Sequence, residues 1–183
     1  MKTRISFALA LILILTAGSC QKIKDALTIK VDTEFTVDLP VVIGGEPLKS
    51  IGLYPYSATE TLDLESNETV QNYKDRIKGY EVTGVSGTIS GLASDFSLTL
   101  ATAKLTISSP DFTTQEWSFT NLVITNGTAI TFDNEGDKWG TVNSMLYEGN
   151  EITITFSGTS NVPSVNFLLQ LLIEVAVEAG ILG

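Results

Sequence analysis

The chain contains no histidine. That removes the commonest general base, the commonest zinc ligand and the usual switch at physiological pH. It contains one cysteine, Cys20, so no intrachain disulfide can form. Positive charge is scarce: 11 lysines and arginines stand against 21 acids, for a formal net charge of −10. Nucleic acid calls for a basic footprint that this composition does not supply. The same balance argues against electrostatic docking on anionic lipid. There is no internal repeat, low-complexity tract or domain-scale linker. Hydrophobic residues make up 43 % and charged residues 17 %, which is globular rather than disordered composition. With 183 residues and no disulfide, the chain fits one domain held by core burial and sheet hydrogen bonding.

The N-terminus has a leader pattern. Met1-Lys2-Thr3-Arg4 is a positive n-region, and Ile5 to Ala17 is an apolar stretch too short to span a bilayer. Ala17-Gly18-Ser19 places small residues where a secretory cut needs them, and Cys20 follows. Together these residues resemble the lipobox of bacterial lipoproteins, with Ala17 where that family usually carries Leu, Val or Ile. The resemblance covers residues 1–20 and does not extend to the domain. It implies a diacylglyceryl group on the Cys20 thiol and a membrane held through that lipid, since several acyl chains anchor where one is marginal. Gln21 is unlike the aspartate that retains enteric lipoproteins at the inner membrane. Lys22 and Lys24 are unlike the acidic stretch that some Bacteroidota lipoproteins use for surface export. The implied location is the bacterial cell envelope, as an outer-membrane lipoprotein, with the periplasmic and surface faces both open. The expected organisation is a signal peptide at 1–19, a lipidated tether at 20–26 and one domain at 27–183.

The rest of the chain is dominated by alternation. From Leu27 to Leu39, Leu27, Ile29, Val31, Phe35, Val37 and Leu39 share one face, interrupted only by Thr33, and charged or hydroxyl residues take the other. That is a half-buried strand, which Pro40 and Gly44-Gly45 are expected to end. Thr59 to Leu64 is a short strand. Asn67 offers a helix cap, Val70, Tyr73 and Ile77 fall at helical spacing, and Gly79 is the expected stop. Tyr80 to Ile89 changes parity at Thr83-Gly84, which predicts a bulge. Phe96, Leu98 and Leu100 alternate, and then Ala101, Ala103, Leu105 and Ile107 do so on the other parity. Asn126-Gly127 predicts a hairpin that sets Val123 against Ile130. Gly149-Asn150 predicts a second, pairing Tyr147 with Ile152, Met145 with Ile154 and Asn143 with Phe156. Strands at this spacing with one short helix predict an all-β fold: an antiparallel β-sandwich of two sheets, with a β-barrel as the alternative.

Val165 to Leu182 is very apolar, broken by Gln170, Glu174 and Glu178. It cannot cross a membrane as a helix, because two acids near its middle would each cost about 2.5 kcal/mol or more. A helix would gather its three polar residues on one face, and a partner groove could then receive it. The strand reading places Phe167, Leu169, Leu171, Ile173, Val175 and Val177 on one face without exception. Fifteen extended residues would run about 50 Å, longer than most strands, so a bulge or a terminal helical turn is expected.

Few residues suggest chemistry. Asp133, Glu135 and Asp137 form the one dense acidic cluster and the only candidate metal site, for calcium, but the spacing fails the helix-loop-helix pattern because Ser144 stands where its terminal glutamate belongs. No cofactor is implied. Acids on alternating positions, such as Asp32, Glu34 and Asp38, mark a solvated face, and no G-x-S-x-G elbow exists. Trp117 alternates with Phe119 and belongs in the core. Trp139 follows the acidic cluster and is expected on a loop, where it is the candidate ligand contact. Tyr54, Tyr56 and Tyr73 are further aromatics able to stack on sugar. The leading expectation is a non-catalytic binding module for a glycan or protein. The alternatives are a structural or assembly subunit, marked by a long unprotected edge strand, and a carboxylate hydrolase, marked by facing acids in a cleft.

Overall fold

A computed structural model describes residues 27–48, 52–148 and 151–181. The leader and Cys20 lie outside these residues. Eight strands follow in order: β1 (Thr28–Ile43), β2 (Tyr54–Leu62), β3 (Ile77–Ser90), β4 (Ser97–Ser108), β5 (Gln115–Thr125), β6 (Ala129–Thr131), β7 (Ile152–Ser160) and β8 (Val165–Gly180). Helix α1 (Glu68–Tyr73) lies between β2 and β3, and α2 (Lys138–Glu148) lies between β6 and β7.

The strands form two antiparallel four-stranded sheets, β1-β8-β3-β6 and β2-β7-β4-β5. The pairing is nested. β4 pairs with β5 at the tip, β3 with β6 and β2 with β7 further out, and β1 with β8 at the open end. The chain is thus one long antiparallel ribbon rolled on itself, which is the jelly-roll arrangement of a sandwich. The sheets do not close into a barrel. Their inner faces supply the core, including Leu39, Ile89, Leu100, Leu105, Ile107, Ile124, Phe132, Phe156, Leu169 and Ile173, all buried.

Several expectations meet corrections. Pro40 does not end β1, which continues to Ile43 in unbroken register with β8. β1 is an edge strand, where alternate N–H groups have no ladder partner and proline is tolerated. The helix at Asn67 is shorter than its apolar spacing suggested. Asn67 Oδ1 accepts the Val70 N–H at 3.1 Å, α1 ends at Tyr73, and after a 3₁₀ turn Ile77 opens β3 opposite Ala179. Thr33, the one break in the β1 alternation, meets that cap: Asn67 Nδ2 donates to Thr33 Oγ1 at 3.0 Å and to the Glu34 carbonyl at 2.9 Å.

Both hairpin pairings fail. The turn at Asn126-Gly127 exists, with Gly127 at φ +86°, but Asn126 is not left-handed, so the type I′ turn that matches hairpin twist does not form. The chain crosses between sheets instead, and Ile130 pairs with Gly87 rather than Val123. Residues 138–148 are helical, so the described residues hold two α-helices rather than one. Val142, Met145 and Leu146 are buried at helical spacing, a face that the coincident period-two pattern of Asn143, Met145 and Tyr147 obscured.

The C-terminal segment is the strand β8, sixteen residues long and flanked by β1 and β3. Its own register with β1 is unbroken, and the expected bulge lies in its neighbour. β3 slips against it twice, at Ile77/Gly79 and at Val82/Gly84, the latter at the parity change anticipated at Thr83-Gly84. The parity change in β4 likewise appears as a register shift between Leu100 and Thr102 against β7.

Candidate functional site

The acidic loop at 133–137 is turn chemistry. Asp133 Oδ1 accepts the Glu135 N–H at 3.0 Å, and Asn134 Oδ1 accepts the Trp139 N–H at 2.8 Å. Gly136 and Asp137 both adopt positive φ, at 72° and 59°, and so reverse the chain into α2. Asp133 also gives its carbonyl to the buried Trp117 Nε1 at 2.7 Å. Among the described residues, no group of three or more acids is placed to hold a metal ion.

Trp139 is not on a loop. It is the second residue of α2, half-buried against the core, and its Nε1 is buried with no hydrogen-bond partner. Tyr56 is in the core, its ring tilted against Phe156 with centroids 5.7 Å apart. Its hydroxyl donates to the Thr102 carbonyl at 3.1 Å, at the β4 irregularity, and burial pushes its pKa well above the ordinary tyrosine value. Gly158, opposite Tyr56 on β7, makes room for this contact; a Cβ there would overlap the Thr102 carbonyl and lie 2.7 Å from the Tyr56 hydroxyl. Tyr73 lies beneath the Arg76 guanidinium, 5.1 Å from ring centroid to Cζ. Tyr54, on β2, also packs against the core, so the candidate sugar-stacking residues are spread over β2, α1 and α2.

Two clefts lie near the helices. One, of about 410 Å³ between β1 and β2, is lined by Glu34, Asp38, Glu60 and Asp63 over a floor of Phe35, Val37 and Leu62. It does bring carboxylates to both walls. All four are exposed, however, and two are already engaged: Gln170 Nε2 donates to Asp38 at 3.0 Å, and Asp63 Oδ1 accepts the Glu65 N–H at 2.9 Å. A glycosidase acid needs burial to keep its proton near neutral pH. The other, of about 630 Å³ between α1 and α2, has an apolar floor of Val70, Ile77, Tyr80 and Leu146, rimmed by a Glu65–Lys74 ion pair at 2.6 Å.

The outer face of β1 and β8 is acidic and solvated. Asp32 and Glu34 are exposed on it, and Glu34 lies directly opposite Glu174. Lys30 bridges Glu81 and Glu178 at one end of that face. The outer face of the other sheet is nearly uncharged and rich in hydroxyls. Thr59 meets Thr155 at 3.0 Å and Thr102 meets Thr159 at 2.9 Å, oxygen to oxygen.

The sheet edges differ most from what the sequence suggested. β1 and β2, edges of different sheets, form the walls of one cleft. β6 covers only Ser86–Thr88 of β3, and α2 packs over the remainder, where Asn143 Oδ1 accepts the Val82 N–H at 2.7 Å beside the bulge. At β5 the same helix reaches only one end, where Lys138 Nζ lies 5.3 Å from the centre of the Trp117 ring. β5 is eleven residues long, bonds to β4 on one side and, among the described residues, pairs with no strand on the other. Gln115 to Thr125 contains no lysine, arginine or proline, the usual edge protectors. Its one charge, Glu116, is held by Lys104 at 2.8 Å, and Val123 on its outer face is 57 % exposed.

No family model matches the chain, and no curated protein matches it. Similar solved structures are viral capsid proteins. The decameric BFDV capsid protein is 11 % identical, with 81 % of this chain and 99 % of that one covered and a TM-score of 0.44. Turnip yellow mosaic virus is 10 % identical over 85 % of this chain and 97 % of that one, with a TM-score of 0.36. Desmodium yellow mottle tymovirus is 9 % identical over 85 % of each chain, with a TM-score of 0.35. The jelly-roll assignment rests on the strand order itself.

Proposed function

We propose that this chain is an envelope-anchored, non-catalytic assembly module, held to a membrane through lipid on Cys20 and joined to its partner along β5. The unprotected β5 edge carries this reading. An unpaired row of backbone N–H and C=O groups is a template for an added strand. The absence of gatekeeper residues on this edge contrasts with the care taken at β3. The dispersal of aromatics weighs against a glycan platform, and the exposure of the cleft carboxylates weighs against hydrolysis. Lipidation is supported by the leader that ends at the only cysteine.

The test introduces a gatekeeper. Val123→Lys places a charge on an exposed position of β5 and removes no core contact. Membranes solubilised in mild detergent are run on native gels. The wild-type chain should migrate in a complex and the variant alone, with the same melting temperature. Equal migration of both would refute the β5 edge as the joint. Cys20→Ala tests the anchor separately: the protein should leave the membrane fraction, and retention after a carbonate wash would refute lipid anchoring.

A further inference from the structure

The exposure of β5 is a palindrome about its middle. From Glu116 to Thr125 it runs exposed, buried, exposed, half-buried, exposed, then exposed, half-buried, exposed, buried, exposed. The inner face holds Trp117 and Phe119 before the midpoint and Leu122 and Ile124 after it. The change of parity falls between Thr120 and Asn121, where Asn121 adopts φ +53°. The neighbour β4 changes parity at the same level, pairing Leu100 with Leu122 and Thr102 with Thr120 while skipping Ala101.

A regular strand added to β5 would stay in phase with one half only, because side chains alternate strictly along an unbroken strand. A partner for the whole edge must change parity where β5 does. β5 itself meets that condition. In an antiparallel pair centred between Thr120 and Asn121, Trp117 faces Ile124, Phe119 faces Leu122 and Ser118 faces Val123; Glu116 comes level with Thr125, whose N–H already donates to Thr128 Oγ1 at 2.8 Å and whose carbonyl accepts the Thr128 N–H at 3.1 Å, so the ladder ends there. Every pair then lies on one face, and no like charges stand opposite. A two-fold axis generates this pairing from identical copies.

We infer that the partner along β5 is a second copy of this chain, paired β5 to β5 about that axis so that two four-stranded sheets become one of eight. This rests on the assembly reading above and gives it a partner and a register. The axis is perpendicular to the strands and to the joined sheet.

The register is tested by disulfide trapping in the full-length, membrane-bound protein, where Cys20 is taken up by lipid. Ser118→Cys and Val123→Cys are made singly and together, since a disulfide needs Cβ atoms about 4 Å apart. The double variant should form a covalent dimer on non-reducing gels and neither single variant should. The wild-type chain in detergent should show twice the monomer protein mass by light scattering. A monomeric wild type, or a dimer that the double variant fails to trap, overturns the inference. Trapping of the double variant to a different protein also overturns it, but leaves the assembly reading standing.

Discussion

Tyr56→Phe removes one oxygen atom and leaves the ring where it is. That oxygen is the hydrogen-bond donor to the Thr102 carbonyl, at 3.1 Å. The carbonyl lies at the register shift between Leu100 and Thr102, where the ladder to β7 is interrupted. Tyr56 itself is only 5 % exposed, so water does not readily replace the lost donor. Loss of one such part-buried hydrogen bond costs about 0.5–1.5 kcal/mol. For a domain of this size, that is a fall in melting temperature of a few degrees. The assay is thermal and urea unfolding of the Cys20→Ala chain and its Tyr56→Phe derivative, at neutral pH. A second readout follows from the ionisation of Tyr56. Burial raises its pKa in the folded state, so the stability tied to its neutral form is present below the unfolded value of about 10 and is lost as pH rises above it. The parent should therefore lose more stability than Tyr56→Phe between neutral pH and strongly alkaline conditions. Equal stability at neutral pH would refute the account of the bulge, and parallel alkaline curves would refute the assignment of the titrating group.

Gly158→Ala should be worse than Tyr56→Phe, because the added Cβ meets backbone and not only the tyrosine hydroxyl; a near-neutral effect on the melt would show that β7 and β4 can separate there. Asn143→Ala strands the Val82 N–H and should cost about 1–3 kcal/mol, with faster amide exchange at Val82 as the local signature. Deleting residues 165–183 removes β8, the strand between β1 and β3, and should abolish cooperative unfolding; a retained two-state melt would contradict its place in the core. Millimolar calcium or chelator should leave the melting temperature unchanged, since Asp133 and Asn134 already serve the turn before α2; a rise of several degrees that Asp133→Ala abolishes would contradict that reading.

Alternation made most strands legible. Phe35 to Leu39, Leu98 to Ile107 and Phe167 to Val177 carry their burial in the sequence, because period two has one structural solution when the face is this regular. The bulge at Thr83-Gly84 was legible for the same reason. What failed was pairing. Asn126-Gly127 marks a turn, but only the left-handed state of both residues makes a hairpin of it, and that depends on which sheet each flank joins. Asn143 to Tyr147 satisfied two periods at once, and burial of Val142 and Leu146 decided for the helix. For the candidate site, the acidic stretch was legible as a loop but Trp139 was expected on it rather than in α2, since Asn134 bonds the first turn of that helix from within the loop. The β5 edge was invisible in advance: nothing in Gln115–Thr125 says that the next strand, β6, will leave for the other sheet.

The most direct measurement of the central claim is amide hydrogen exchange across Glu116–Ile124 in membranes carrying the full-length protein, compared with the same protein dispersed and diluted in detergent. If β5 is the joint, its amides exchange slowly in the membrane and lose protection on dilution, while β4 and β7 keep theirs. If β5 exchanges at the same fast rate in both samples, its edge is open in the envelope and the chain does not assemble through it.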